Sequence, residues 1–598
     1  MRIVNSYKSR LLNNILSLFL YIVICLPSLV LSSVRGQTQS HLAGIAPSIQ
    51  HQTAISAVWQ WSVPVNGKLD NHPDARAYLW IPPDCNMIRG VVVAQHNMEE
   101  VSILENPVFR KKMSSMGFAE IWVTPSFDHL FRFNEGAGRI FDQMIHALTE
   151  ESGYTSLLFA PVVPLGHSAA ASWPYYFAVS KPERTLAAIS VSGQWPYFRS
   201  PVFAPDIWSK SQSLDYIPAL ETMGEYENGD NWAEEGLKER AGHPDIPLSM
   251  LTCPAEGHFA STDKKAAYLA LYIRKAAEYR YPDVYPETGY PVLKAVDPKT
   301  SGWLVPRWRR NEPPQQAAAP VKEYKGNPKE AFWFFDEEMA LATLAYQSAG
   351  RGKAPQSLAY IQQGKVVAQR ETHQQVDLAF HPDLDGIHFS LKAIFSDTVP
   401  GGSHFPAVWA QAPAGSSVGH SDNSQDIRIE RICGPFVQEK DGNFKVWFSR
   451  EIPSTASSEK PYELWFIASH PGDMKYKPAI LQAVMHIPSR NTQGRAQKIE
   501  FTPIKNQFLG AVSVSIHATS DAGLPVHCYV REGPAYIKDS TLIFTEIPTR
   551  AKFPLKVTVV AWQYGKNSGE KVQSAESIVR TFYIKEKFPG RVQNEFLK

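Results

Sequence analysis

The sequence predicts an α/β protein: a mainly parallel, doubly wound sheet in the first half of the chain, followed by β-sandwich domains. Three observations carry this reading. From about Ile45 to Pro282 strand-like and helix-like patterns alternate, as in a parallel sheet covered on both faces. After about residue 283 the alternation gives way to prolines and then to short alternating strands. Within the first half an apolar strand runs into Gly166-His167-Ser168-Ala169-Ala170, a turn built from small residues.

Asp74 to Ile81 reads as an early strand, and Gly90 to Gln95 as a strand apolar on both faces. Asn106 to Met116 is helix-like and Ala119 to Thr124 is the next strand. Gly138 to Glu151 is an amphipathic helix with Ile140, Phe141, Met144, Ile145 and Leu148 on one face. Ala160 to Leu165, Leu186 to Ser192, Ile217 to Met223 and Leu248 to Thr252 supply further strands, and Asp263 to Tyr279 closes the region as a helix. Pro282 to Pro328 reads as a linker or an irregular wrap. Phe332 to Ala349 is expected to hold one helix, and strands dominate from Val376 onward. Runs such as Val526 to Val530 and Lys556 to Gln563, spaced by turn residues, suggest a sandwich at the end.

The domain organisation that follows is a signal peptide at 1–36, a catalytic region at 45–285, a proline-rich connector at 286–330, a β-rich domain at 331–490 and a sandwich at 491–598. Arg2, Lys8 and Arg10 precede a mostly apolar Leu11–Leu31, and Val34-Arg35-Gly36 suits a cut before Gln37. An uncleaved anchor is the other reading of the same run. No later segment is long and apolar enough to span a bilayer.

Composition excludes several classes. The 598 residues carry 60 Lys+Arg against 58 Asp+Glu, with no dense basic cluster. That argues against a nucleic-acid partner, since phosphate binding needs a local excess of cations. Charged residues at 20% and hydrophobic ones at 44% exclude wholesale disorder. Five widely spaced cysteines exclude a disulfide-stapled scaffold. There is no CxxC or HExxH pattern, and no metal or cofactor is expected.

The turn at Ser168 is the informative feature. A nucleophilic serine on a sharp strand-to-helix elbow leaves no room for bulk two residues before or after it. Gly166 and Ala170 meet that need, although alanine stands where glycine is usual. A second Gly-His-Ser, at 419–421, has no apolar strand before it and reads as a loop. An activated serine also needs an imidazole and a carboxylate to orient it. Downstream, Pro218 to Glu227 is a strand ending in Gly-x-x-acid, and Leu248 to Thr252 leads into Glu256-Gly257-His258-Phe259.

These segments resemble serine hydrolases of the α/β-hydrolase superfamily over roughly residues 75–280. Carried over residue by residue, the resemblance implies Ser168 as nucleophile, Glu227 as acid and His258 as base. Glutamate departs from the commoner aspartate, which leaves Glu225 and Asp230 open as the acid. The oxyanion hole would use the backbone N–H of Ala169 and one from the loop after Gly90–Gln95. His96-Asn97 stands where relatives often have His-Gly, which points to the Met98 N–H, with Asn97 second. A plain polar strand end is the competing reading. Trp173, Tyr175, Trp195 and Trp232 flank the expected mouth and could stack on sugar rings; packing within the fold explains them equally well.

A signal peptide, a hydrolase region and β-rich appendages together resemble exported bacterial carbohydrate esterases, the last domain being similar to bacterial immunoglobulin-like modules. The resemblance implies a secreted or periplasmic enzyme acting on acyl or methyl esters of a polysaccharide or oligosaccharide. Two other classes stay open: a carbohydrate-binding or scaffold protein on an inactive hydrolase fold, and a secreted serine peptidase.

Overall fold

The computed structural model describes residues 57–70, 75–197, 212–227, 229–259, 262–370, 376–402, 405–450 and 461–586. The expected signal peptide at 1–36 lies outside the described residues. The described residues all belong to one compact unit.

Its centre is an eight-stranded sheet of β1 (Trp61–Pro64), β2 (Arg76–Trp80), β3 (Gly90–Gln95), β4 (Phe118–Thr124), β5 (Val162–His167), β6 (Ala188–Val191), β7 (Ala219–Gly224) and β8 (Leu248–Cys253). The spatial order is β1-β2-β4-β3-β5-β6-β7-β8. β2 runs antiparallel to β1 and to β4, and every later pair is parallel. Every residue of β3, β4, β5, β7 and β8 is buried, as expected of strands covered on both faces. The covering helices are α1 (Glu100–Leu104), α2 (Pro107–Met116), α3 (Ala137–Ser152), α4 (Trp173–Ser180), α5 (Gly229–Gly242) and α6 (Asp263–Arg280).

Local chemistry sets the helix limits. The Asn106 side chain accepts from the Val108 and Phe109 N–H groups, Pro107 takes the first helical position, and Gly117 at φ +68° ends α2. α3 buries Ile140, Phe141, Met144, Ile145 and Leu148, the face read from the sequence. Thr262 caps α6 by accepting from the Lys265 N–H.

The connector is an ordered wrap with a sheet of its own. Trp303–Pro306 pairs antiparallel with both Ala319–Pro320 and Ala331–Phe334. The stretch from Phe332 to Ala349 holds one helix, as expected, but opens on a strand. Phe332 and Trp333 lie in a strand, because a partner strand some thirty residues upstream claims their backbone groups. Helix α7 (Glu337–Gln347) begins only after Asp336, whose side chain accepts from the Met339 N–H.

In the β-rich region Val376–Leu378, Ala479–Ile487, Tyr462–His470 and Arg428–Cys433 form a four-stranded sheet, and His388–Phe389, Phe444–Val446 and Phe436–Gln438 a three-stranded one. Phe389, Phe436, Phe444 and Phe466 pack in the core that these strands share. A short helix, α8 (Phe405–Ala410), precedes Arg428–Cys433 in this region. The last region repeats the plan as a sandwich. Gln507–Phe508, Ile578–Lys585, Leu555–Trp562 and His527–Glu532 make one sheet, and Ser513–Ser515, Thr541–Phe544 and Ala535–Lys538 the other.

The hydrophobic core does not stop at the expected boundaries. One cluster runs from Trp61, Leu79 and Ile121 of the central sheet to Val530, Val557 and Phe582 of the last sandwich. Ser62 on β1 donates to Glu532 at 2.8 Å across that junction. The four described cysteines, Cys85, Cys253, Cys433 and Cys528, are buried. Among the described residues no helix is long and apolar enough to cross a membrane.

Candidate active site

β5 delivers its last residue, His167, into a one-turn 3-10 segment, Ser168–Ala170, before α4 begins at Trp173. Ser168 has φ +54°, a left-handed conformation that costs a non-glycine residue energy and persists only when its surroundings enforce it. The enforcement is visible next door. A β-carbon at Gly166 would run into the carbonyl oxygen of Ala170. The elbow therefore closes only with glycine at 166. Ser168 is half-buried and Ala169 exposed.

His258 stands over the serine, in the loop between β8 and α6. Its Nε2 lies 2.8 Å from Ser168 Oγ, and its Nδ1 lies 2.7 Å from Glu227 Oε2. A carboxylate can only accept, so Nδ1 carries the proton and Nε2 is left to accept from the hydroxyl. Glu227 belongs to the 3-10 turn Glu225–Glu227 at the end of β7. The three groups form a hydrogen-bonded line across the ends of β5, β7 and β8.

Of the acids left open by the sequence, Glu227 is the one that reaches His258. Glu225 points the other way and is fully buried. It accepts from the Ala255 N–H at 3.0 Å, the Arg310 Nε–H at 3.1 Å and Lys477 Nζ at 3.2 Å. Asp230 lies in the first turn of α5.

His167 packs against His258. Its ring Nε2 donates to the His258 carbonyl at 3.0 Å, with the two rings edge to face at 4.8 Å. Burial first, and then the adjacent His258, hold the His167 pKa well below the usual histidine value. The ring stays neutral and serves as a fixed donor.

The loop after β3 departs from expectation. The backbone N–H groups of Asn97 and Met98 both donate to Glu100 Oε2, at 2.9 and 2.8 Å. The amides expected to open on an oxyanion are turned onto a side chain of this protein. The reason is the buried Glu100 at the start of α1, whose carboxyl turns back on the two N–H groups of the segment that precedes the helix. Its other oxygen accepts from the His167 N–H at 2.9 Å, and the Asn97 side-chain amide donates to the His167 carbonyl at 3.1 Å. Glu100 thus fastens this loop to the residue before the serine. Burial pushes its carboxyl pKa upward.

Two of the three tryptophans expected to bind substrate are core residues. Trp173 is 1% exposed, donates to the Leu165 carbonyl and packs on Phe177. Trp195 is fully buried between Trp232 and Phe332. A helix or loop position beside the serine does not imply a face toward it; these rings fill space between the sheet and its cover. Tyr175 is buried as well. Trp232 alone of the three is half-exposed, with its Nε1 donating to Glu221 at 3.3 Å.

The sequence reading did not foresee that the β-rich region reaches this site. Phe259, next to His258, packs on Trp465 at 5.1 Å, in a cluster with Ile432, Ile467 and Val484 against which Met98 also packs. A β-carbon at Gly257 would lie 2.5 Å from Gln482 Oε1. The Tyr346 hydroxyl donates to Glu256, which also pairs with the buried Lys265 at 2.9 Å. These partners are separated from the loop by up to two hundred residues and more, so no local pattern could signal them.

The strand order, the antiparallel β2 and the elbow after β5 make this region an α/β-hydrolase fold. No family model and no curated protein matches the chain. Among solved structures it is similar to a siderophore hydrolase, EstA, from Aspergillus nidulans, at 10% identity over 36% of this chain and 95% of that one, TM-score 0.29. It is similar to an S-formylglutathione hydrolase from Agrobacterium tumefaciens, at 12% identity over 38% and 98%, TM-score 0.28. A third is Est1E from Butyrivibrio proteoclasticus, at 13% identity over 36% and 96%, TM-score 0.24. Scores this low carry no argument about chemistry; the fold follows from the strands themselves.

Proposed function

We propose that this chain is a serine hydrolase of carboxylic esters, with Ser168 as nucleophile, His258 as general base and Glu227 as the acid that orients it. The observation that carries the reading is the His258 ring held between Glu227 Oε2 at 2.7 Å and Ser168 Oγ at 2.8 Å. In the first step Ser168 Oγ attacks the ester carbonyl carbon while His258 Nε2 takes the hydroxyl proton. His258 returns that proton to the leaving alcohol as the carbon–oxygen bond breaks, which leaves an acyl-serine. A water molecule then repeats the cycle: His258 takes its proton, the hydroxide attacks, and the acid departs as Ser168 recovers its hydrogen. Glu227 stabilises the imidazolium formed in each half. The Ala169 N–H, immediately after the serine, is the donor we assign to the developing oxyanion.

The substrate we propose is an acyl or methyl ester on a polysaccharide or oligosaccharide, met outside the cytoplasm in a secreted or periplasmic setting. Support comes from the signal expected at residues 1–36 and from the half-exposed Trp232 on α5, which follows the acid-bearing turn. The test is turnover of p-nitrophenyl acetate and of acetylated, feruloylated and methyl-esterified polysaccharides, repeated with Ser168→Ala. Turnover that survives the substitution sinks the nucleophile assignment. Activity on the small ester alone sinks the polysaccharide assignment.

A further inference from the structure

Glu225 sits two residues before Glu227, and its surroundings are unusual for an acid in a turn. It is 0% exposed. A buried carboxylate without partners is strongly disfavoured, and both cations that meet this one come from beyond the catalytic region. Arg310, from the connector, donates through Nε to Glu225 Oε1 at 3.1 Å and through a terminal nitrogen to the Glu225 carbonyl at 3.3 Å. Lys477, from the turn before Ala479–Ile487, reaches the same Oε1 at 3.2 Å and is 4% exposed at its side chain. Oε2 accepts from the N–H of Ala255, three residues before His258. One carboxylate therefore ties together the acid turn, the base loop, the connector and the β-rich region.

The neighbouring residues repeat the pattern. The Tyr226 N–H donates to the Glu256 carbonyl at 2.9 Å, joining the two loops directly. The Tyr226 ring packs edge-on against Trp409 of α8 at 5.1 Å. The Lys477 ammonium lies over the same Trp409 ring at 5.0 Å, and Arg310 also donates to the Val408 carbonyl at 2.8 Å. The turn is thus held on its outer side by residues 310, 408, 409 and 477, while its inner side presents Glu227.

We propose that Glu225 is a positioning residue: Arg310 and Lys477, drawn to it from the connector and the β-rich region, fix the turn that aims Glu227 at His258. This rests on the serine-hydrolase reading above. It makes the β-rich region part of the machinery of that site. The region holds the acid in register with the base, and a hydrolase region cut free of it would lose Lys477 and Trp409 from the outer side of that turn.

The experiment uses the full chain. Ser168 is counted by the adduct it forms with a fluorophosphonate probe at saturation, and kcat on p-nitrophenyl acetate is expressed per counted serine. Glu225→Gln and Lys477→Met are expected to lower that kcat by up to about 10²-fold, the cost of a small misplacement of a catalytic group, with KM unchanged. Lys477→Arg, which restores the cation, is expected to recover it. Should Glu225→Gln fail to fold, Arg310→Gln carries the same comparison from a side chain that reaches the surface. Wild-type kcat per counted serine in these variants overturns the proposal, even where yield or Tm falls, since the cluster would then serve the fold alone. A wild-type chain whose Ser168 takes no probe overturns the hydrolase reading and this inference with it.

Discussion

Gly224, the last residue of β7, faces the carbonyl oxygen of Gly257 so closely that a β-carbon at 224 would lie 2.5 Å from it. The turn that carries Glu227 and the loop that carries His258 meet at this point. Gly224→Ala is therefore expected to push the two apart. Overpacking of this kind costs about 1–3 kcal/mol, and the displacement should cost activity well beyond the loss of stability. Comparing the urea midpoint with kcat checks this; unchanged kcat in a destabilised variant would contradict it.

Glu227→Gln keeps the shape of the acid but offers an amide to the His258 ring. The neutral side chain no longer stabilises the imidazolium and can hold the wrong tautomer. The expected fall in kcat is roughly 10³–10⁴-fold with little change in KM. Steady-state kinetics on a soluble ester measure it directly.

Glu100 accepts from backbone N–H groups through both oxygens. In Glu100→Gln either orientation of the amide turns an NH₂ group against at least one of those donors. A buried donor left without a partner costs about 1–3 kcal/mol. The variant should unfold at lower urea, and the loop at 96–98 should lose protection from amide hydrogen exchange before the sheet does. Wild-type protection there would argue against the fastening role of Glu100.

Burial pushes the Glu221 carboxyl up to about 8 from an ordinary 4.5. Between those values the native protein holds a proton that the unfolded chain has released, so stability falls as pH rises through that window. Glu221→Gln removes this dependence. The variant should gain in Tm on the wild type as pH climbs from 4.5 to 8, and the gain should vanish at the acid end. Parallel Tm curves for the two proteins would refute the assignment.

What the sequence revealed and what it hid divide along the reach of the forces involved. The elbow at Gly166-His167-Ser168-Ala169-Ala170 was legible because its constraint is steric and spans five residues. The buried face of α3 was legible because helical spacing alone selects it. Glu227 was favoured over Glu225 only by resemblance, since which way each side chain leaves a 3-10 turn depends on Arg310 and Lys477, 85 and 252 residues further on from Glu225. For Trp173 and Trp195 the choice between stacking on substrate and packing within the fold stayed open for the same reason. An aromatic ring near a serine in sequence is exposed or buried according to what covers it, and for Trp195 part of the cover is Phe332. The strand at Ala331–Phe334 was missed because its partner, Trp303–Pro306, lies in a segment that reads as a linker.

The junction between the central sheet and the last sandwich has one more consequence. β1 is the terminal strand of the eight, and a terminal strand offers unpaired backbone groups to any other chain that approaches. Here the approach is taken. Trp59, just before β1, bridges to Gly533, and Glu532 holds Ser62 on β1 itself. The sandwich works as an internal stopper for the sheet. A chain shortened ahead of residue 491 would lose that stopper and bare the apolar flank behind it, and such a chain should self-associate in proportion to its concentration where the full-length protein does not.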